Sequence, residues 1–149
     1  MRQLPSGPDL LAVEAEFPAA TPEAVFACWT EPARLRQWWP HEADIDPRAG
    51  GAYVLAWPAQ DWRLRGLYTL FAPPRALAFT WRWDHEPDAP LRLVMLQIDP
   101  ARAGARLTLW QAPYALDAGD QAVRLEQHLA GWAHFLPRLE ALLAASGTG

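Results

Sequence analysis

The sequence predicts an α+β fold: one strand, two short helices and a meander form a curved antiparallel sheet that grips a long C-terminal helix. Three observations predict it. Leu125, Leu129, Trp132, Leu136, Leu139 and Leu143 are spaced 4, 3, 4, 3, 4, which draws one apolar stripe down a helix of about six turns. Between residues 52 and 111, apolar and polar residues alternate in runs separated by short turn signals, and connections that short join antiparallel strands. A single long helix must cover something, and the only large apolar surface on offer is the concave face of that sheet.

Residues 11–17 alternate with period two, placing Leu11, Val13, Ala15 and Phe17 on one face and Glu14 and Glu16 on the other, the pattern of a half-buried strand. Thr21-Pro22-Glu23 starts a helix, with Thr21 as N-cap and Pro22 in the position where its missing N–H costs nothing. Val25, Phe26 and Trp29 supply its stripe, and a second short helix from about Pro32 to Trp38 stops before Pro40. After a turn at residues 46–51, Tyr53, Leu55 and Trp57 alternate against Ala52, Val54 and Ala56. In residues 61–71, Arg63 and Arg65 face water, so Trp62, Leu64, Gly66, Tyr68 and Leu70 share the inward face. Beyond Pro73-Pro74, Leu77, Phe79, Trp81 and Trp83 oppose Ala76, Ala78, Thr80 and Arg82. Arg92, Val94, Leu96 and Ile98 then alternate with Leu93, Met95 and Gln97, and the pattern leaves both facings open. The last strand joins Leu107, Leu109 and Gln111 on one face, against Thr108 and Trp110. One domain is expected over residues 1–149, with a core at about 11–145 and loose ends at 1–8 and 146–149.

Composition removes several function classes. All 13 basic residues are arginine, so no lysine is present for a Schiff base or a P-loop. Asparagine is absent, and the serines, Ser6 and Ser146, stand one near each end, which argues against a serine hydrolase. The formal charge is −4 with scattered arginines, so no basic stripe follows a phosphate backbone and no nucleic-acid partner is expected. No apolar run approaches the ~20 residues that span a bilayer, and the first eight residues lack the apolar centre of an export signal. No integral membrane association is therefore expected. Cys28 is alone, which excludes an intrachain disulfide and a cysteine zinc cage and fits the reducing cytoplasm. Asp84-His85-Glu86-Pro87-Asp88 reads as a solvated turn, and His41-Glu42 lacks the second histidine of a zinc-protease helix, so neither metal nor cofactor is expected.

Strand, two short helices, meander and long helix occur with Thr21-Pro22-Glu23-Ala24-Val25-Phe26, Trp38-Trp39-Pro40, Arg48-Ala49-Gly50-Gly51, Pro73-Pro74-Arg75-Ala76-Leu77-Ala78-Phe79-Thr80-Trp81 and Gly131-Trp132. In this order they resemble the START-like helix-grip superfamily (SRPBCC), and within it the branch named for the activator of a heat-shock-protein ATPase, over roughly residues 11–145. The resemblance implies a cavity between sheet and helix for apolar or amphipathic small molecules, including lipids, sterols, polyketides and hormones. Relatives include ligand binders, enzymes of aromatase/cyclase or hydrolase type, and chaperone assistants. Here Trp39 runs directly into Pro40 where the family usually places a glycine between, which implies a differently shaped rim. The chain is expected to carry one such domain, without the additional chaperone-contacting domain of the eukaryotic activator.

Nine tryptophans in 149 residues call for an outsized core or an aromatic-lined cavity. Tyr53, Trp57, Tyr68, Phe79, Trp81, Trp83 and Trp132 fall on inward faces and are expected to line a pocket rather than pack solid. Trp38, Leu55, Leu96, Leu109 and Phe135 complete the expected apolar lining. Gly131 costs roughly 1 kcal/mol relative to alanine inside a helix, and marks either close packing against a strand or room for ligand. His128, one turn before Trp132, is expected to support structure or orient ligand. Gln111 either offers an amide to a polar ligand atom or ends its strand at the rim.

No catalytic constellation is recognised, and only Gln111, His128, Tyr53 and Tyr68 stand as deep polar groups. Trp62 and Trp110 are the one hint of an exposed apolar patch. The expected function is binding of a small apolar or amphipathic ligand, of lipid, polyketide or aromatic type, in a Trp-rich cavity. An enzyme acting on such a ligand and a chaperone-ATPase-linked stress protein are the alternatives, and a homodimer and a chaperone partner stay open.

Overall fold

The computed structural model describes residues 1–147; Thr148 and Gly149 of the expected loose tail lie outside the described residues. The elements are β1 (Arg2–Gln3), β2 (Leu11–Phe17), α1 (Pro22–Thr30), α2 (Pro32–Leu35), β3 (Glu42–Ile45) and β4 (Ala52–Trp57). There follow β5 (Trp62–Ala72), β6 (Ala76–Trp83), β7 (Arg92–Ala101) and β8 (Gly104–Ala112). The chain ends in α3 (Ala118–Ala122), a π-helical segment (Val123–Leu129) and α4 (Ala130–Gly147). All strand pairs are antiparallel, in the order β1-β2-β8-β7-β6-β5-β4-β3. This is the helix-grip architecture that the periodicities predict: a meander from β3 to β8, with β2 closing the far side and α1 and α2 carrying the chain across.

α1 starts as its cap requires, with Thr21 in extended conformation and its Oγ1 accepting from the Ala24 N–H at 3.2 Å. Thr21→Ala is expected to cost about 1 kcal/mol in urea denaturation, since it leaves that N–H without its partner. The inward series of β2, β4, β6 and β8 are buried as expected, Trp83 at the end of β6 only in part. β7, open in the sequence, turns Arg92, Val94, Leu96 and Ile98 inward, because its pairing with β6 sets Val94 against Phe79 and Leu96 against Leu77.

Several placements differ from the sequence pattern: α2 ends at Leu35, short of the expected Trp38, and Trp62, expected inward, is exposed at the start of β5. The expected loose N-terminal stretch contains β1, whose Arg2 and Gln3 pair with Glu14 and Val13, while the Met1 amino group bonds Glu140 at 2.8 Å. β3 escapes the periodicity because four residues at a sheet edge are too few to show one. Leu70, expected inward, is exposed: the register shifts between Tyr68 and Leu70, and this bulge turns Phe71 toward Phe26 and Tyr68 instead. Leu125, expected to head the helix stripe, is also exposed, and His128 is buried in its stead. The π-helical winding of Val123–Leu129 turns each residue by less than an α-helix does, so a stripe drawn at 3.6 residues per turn loses phase there. From Trp132 on, the stripe of Leu136, Leu139 and Leu143 is buried as predicted.

Candidate functional site

A cavity of about 590 Å³ lies where β4, β5 and β6 face the C-terminal helix, within the range that encloses small molecules. Trp39, Trp81 and Trp132 form its floor. Trp39 stacks on Trp81 at 6.0 Å and 21°, and Trp132 meets both at 5.2 and 5.8 Å. Trp57 and Trp83, 5.5 Å apart, build one wall and Phe135 closes over Trp57. At the mouth Trp83 leads to the exposed Trp62, on which His85 stacks at 5.9 Å and 22°. Gln60, Glu86 and Gln127 complete an exposed polar rim.

The expected lining residues divide into two groups. Trp57, Trp81 and Trp83 from the sheet, with His128, Gly131, Trp132 and Phe135 from the helix, face the cavity. Tyr53, Leu55, Tyr68 and Phe79 instead surround a gap of about 10 Å³, no more than one water would fill, and are packed core. Tyr53 donates its hydroxyl to the Thr80 carbonyl, and burial pushes the Tyr53 and Tyr68 phenols up, so both stay protonated. Leu96 and Leu109 are fully buried elsewhere in the core. Trp38 also turns away from the cavity: its Nε1 donates to the Cys28 carbonyl at 2.9 Å, and its ring stacks behind Trp39. Gln111 is neither at the rim nor in the cavity wall. It is fully buried, and its Oε1 accepts from Trp132 Nε1 at 2.9 Å, so it fixes the tryptophan that the cavity uses.

The two alternatives for Gly131 are also resolved by its surroundings. A Cβ built there meets nothing within 4 Å, so no strand presses against it and the space it leaves belongs to the cavity. Trp62 and Trp110 do not form one patch. Trp62 stands at the cavity mouth, whereas Trp110 pairs with Ala12 and Met95 on the opposite face of the sheet.

One polar side chain lies deep in the wall. His128 is 8% exposed, and its Nδ1 lies 2.7 Å from the Tyr114 hydroxyl. Burial, with a further contribution from Arg92 and partial opposition from Asp120, lowers its pKa to about 4, so the ring is neutral at physiological pH. Behind Tyr114 stands an ion pair between the buried Arg92 and the partly buried Asp120. Arg92 donates through Nη2 to Asp120 Oδ1 at 2.6 Å and through Nη1 to Asp120 Oδ2 and the Pro113 carbonyl, while its guanidinium lies over the Tyr114 ring at 4.6 Å. The hydrogen bond from Arg92 holds the Asp120 carboxyl below its usual range.

Trp39, Tyr114, Arg92 and Asp120 were not among the expected site residues. Trp38 and Trp39 follow α2 in a turn, where no periodicity selects Trp39 over Trp38. Tyr114 and Asp120 lie in and after a loop, where burial leaves no pattern in the sequence. Arg92 carried a signal in hindsight: it shares a face with Val94, Leu96 and Ile98, and a charge on an apolar face needs a buried partner.

Residues 19–144 match the model of the family described as Activator of Hsp90 ATPase homolog 1-like protein. Among solved structures, the chain is similar to a protein of Mesorhizobium loti, with a TM-score of 0.80 and 22% identity over 91% of this chain and 97% of that one, a likeness of fold alone. It is similar to a Rhodobacter sphaeroides protein with a TM-score of 0.77 and 27% identity over 97% of each chain. It is also similar to the AHSA1 protein of Silicibacter pomeroyi, with a TM-score of 0.71 and 32% identity over 92% of this chain and 99% of that one. Among curated proteins, none matches the chain.

Proposed function

This chain belongs to the Activator of Hsp90 ATPase homolog 1-like family, with its START-like helix-grip fold, and on that footing we propose that it binds a small apolar or amphipathic molecule in the tryptophan-walled cavity. The observation that carries this is the cavity itself: about 590 Å³ bounded by rings that would otherwise pack together, with a helix glycine beside open space. Apolar walls supply the affinity, and the rim of Gln60, Glu86 and Gln127 leaves one end of the molecule in a polar setting. Among the described residues no helix is long and apolar enough to cross a membrane.

Gly131→Leu tests the proposal. The substitution restores helix propensity, worth several tenths of a kcal/mol, and its side chain enters the cavity. The variant is expected to be at least as stable as the parent in urea denaturation and to lose ligand binding. The parent should answer a panel of fatty acids, sterols and fused-ring aromatics with altered tryptophan emission and, at a hundredfold excess over Kd, with about 2.7 kcal/mol of added stability. A destabilised Gly131→Leu variant, with no response of the parent to any of the panel, would show that the space closes in solution and the protein binds nothing there. Overpacking of a closed core would cost roughly 1–3 kcal/mol.

A further inference from the structure

Asp120, Arg92, Tyr114 and His128 form one line of contacts that ends at the cavity wall. The direction of the last hydrogen bond follows from what each group has available. Tyr114 is buried, and among the described residues its hydroxyl has no acceptor other than His128 Nδ1. If Nδ1 donated, the phenol hydrogen would be enclosed without a partner. Tyr114 therefore donates and Nδ1 accepts, which places the hydrogen of the neutral ring on Nε2. Among the described residues Nε2 has no acceptor and is not one of the sealed unpartnered atoms, Trp29 Nε1, Trp81 Nε1 and Gln111 Nε2, and the ring that carries it lines the cavity.

We infer that the molecule bound here is a neutral ring compound bearing a carbonyl-type oxygen that accepts a hydrogen bond from His128 Nε2–H, with Tyr114 as the positioning residue that holds the donor. This rests on the binding function proposed above. A ring frame suits walls made of indole faces and edges, with Trp39 stacked on Trp81 and Trp83 edge-on to it. An acceptor is required because a sequestered N–H facing an apolar ligand costs binding free energy that a carbonyl would recover. Neutrality follows from charge: no arginine lines the cavity, the chain has no lysine, and the one carboxylate in the lining, Glu86, sits at the mouth. A deeply buried anion would have no counter-charge.

Xanthone, xanthene and xanthene-9-carboxylate share three fused rings and differ in the polar group. In calorimetric titrations of the full chain at neutral pH, xanthone is expected to bind about fivefold to tenfold more tightly than xanthene, the range of one hydrogen bond, with the carboxylate weakest. In His128→Phe a ring remains without its donor, so the advantage of xanthone disappears while xanthene affinity is kept. In Tyr114→Phe both tautomers of His128 become accessible and the advantage shrinks. A long-range proton–nitrogen NMR spectrum of the parent reads the His128 tautomer directly, whether or not the variants fold; the Nε2–H form is expected, and an Nδ1–H or doubly protonated ring overturns the inference. Equal affinity for xanthone and xanthene overturns it too and leaves ligand binding standing, as does binding of fatty acids or sterols with none of the three probes. Tightest binding of the carboxylate overturns the neutral assignment. If nothing binds, both the inference and the proposed function fall.

Discussion

Asp120→Ala is expected to lower the unfolding free energy by roughly 3–5 kcal/mol, because it strands a buried guanidinium. The Arg92 side chain is 5% exposed and that of Asp120 14%, so the guanidinium would be left buried with the Pro113 carbonyl as its remaining partner. Asp120 also accepts from the Ala115 N–H at 2.6 Å, and that donor is freed at the same time. Arg92→Met combined with Asp120→Leu should recover much of the loss, since replacing both charges by apolar groups removes the cost of burying either. Urea denaturation of the three proteins measures this. A loss below about 1 kcal/mol in Asp120→Ala would place the pair with solvent-exposed ion pairs, which contribute little.

Stability should also fall by roughly 3 kcal/mol as the pH is lowered from about 6.5 to about 4, the window set by His128. The unfolded histidine takes up a proton near its ordinary value of 6.5, while the folded ring, held neutral by burial and by Arg92, does so only near about 4. Between these values the unfolded state binds more protons, so acid favours unfolding, at roughly 1.36 kcal/mol for each unit of difference. Asp120 acts in a separate and lower window. Its carboxylate is stabilised by Arg92, so its contribution is complete above the ordinary value of 3.8 and is lost only as the pH falls through the lowered folded value. Denaturation midpoints measured across pH should show both slopes, and His128→Gln should remove the upper one alone. A parent profile that is flat between pH 6.5 and pH 4 would mean that His128 is solvated in the native state.

Most of the fold was legible because its sheet is amphipathic. Strands with one wet and one dry face write their facing into the sequence with period two, and β2, β4, β6 and β8 follow that rule closely. The misplacements arise where the period itself changes. One bulged residue after Tyr68 inverts the faces that follow, and a π-helical segment before Leu129 shifts the phase of the helix. Neither irregularity leaves a compositional mark. The family resemblance was legible for a different reason: its motifs are turns, caps and aromatic pairs whose order along the chain survives such local shifts.

The sequence by itself determined the fold class, the order of its elements, the inward set of aromatic residues and the exclusion of lysine-dependent chemistry, because each depends only on residue type and spacing along one chain. Which of those aromatics enclose space and which fill it was decided only in three dimensions. Tyr53, Tyr68 and Phe79 face inward as surely as Trp81 and Trp83, yet the first three surround a gap of about 10 Å³ whereas the last two line the cavity of about 590 Å³, a difference set by what packs against each part of the sheet. The tertiary structure also chose the one deep polar group. Gln111, His128, Tyr53 and Tyr68 were equal candidates by pattern, and three of them are turned to internal partners or packed among core rings. Only His128 keeps a ring nitrogen for the cavity, because a tyrosine from a loop and a π-helical segment meet at its other nitrogen, and nothing in the spacing of residues 114 and 128 specifies that meeting.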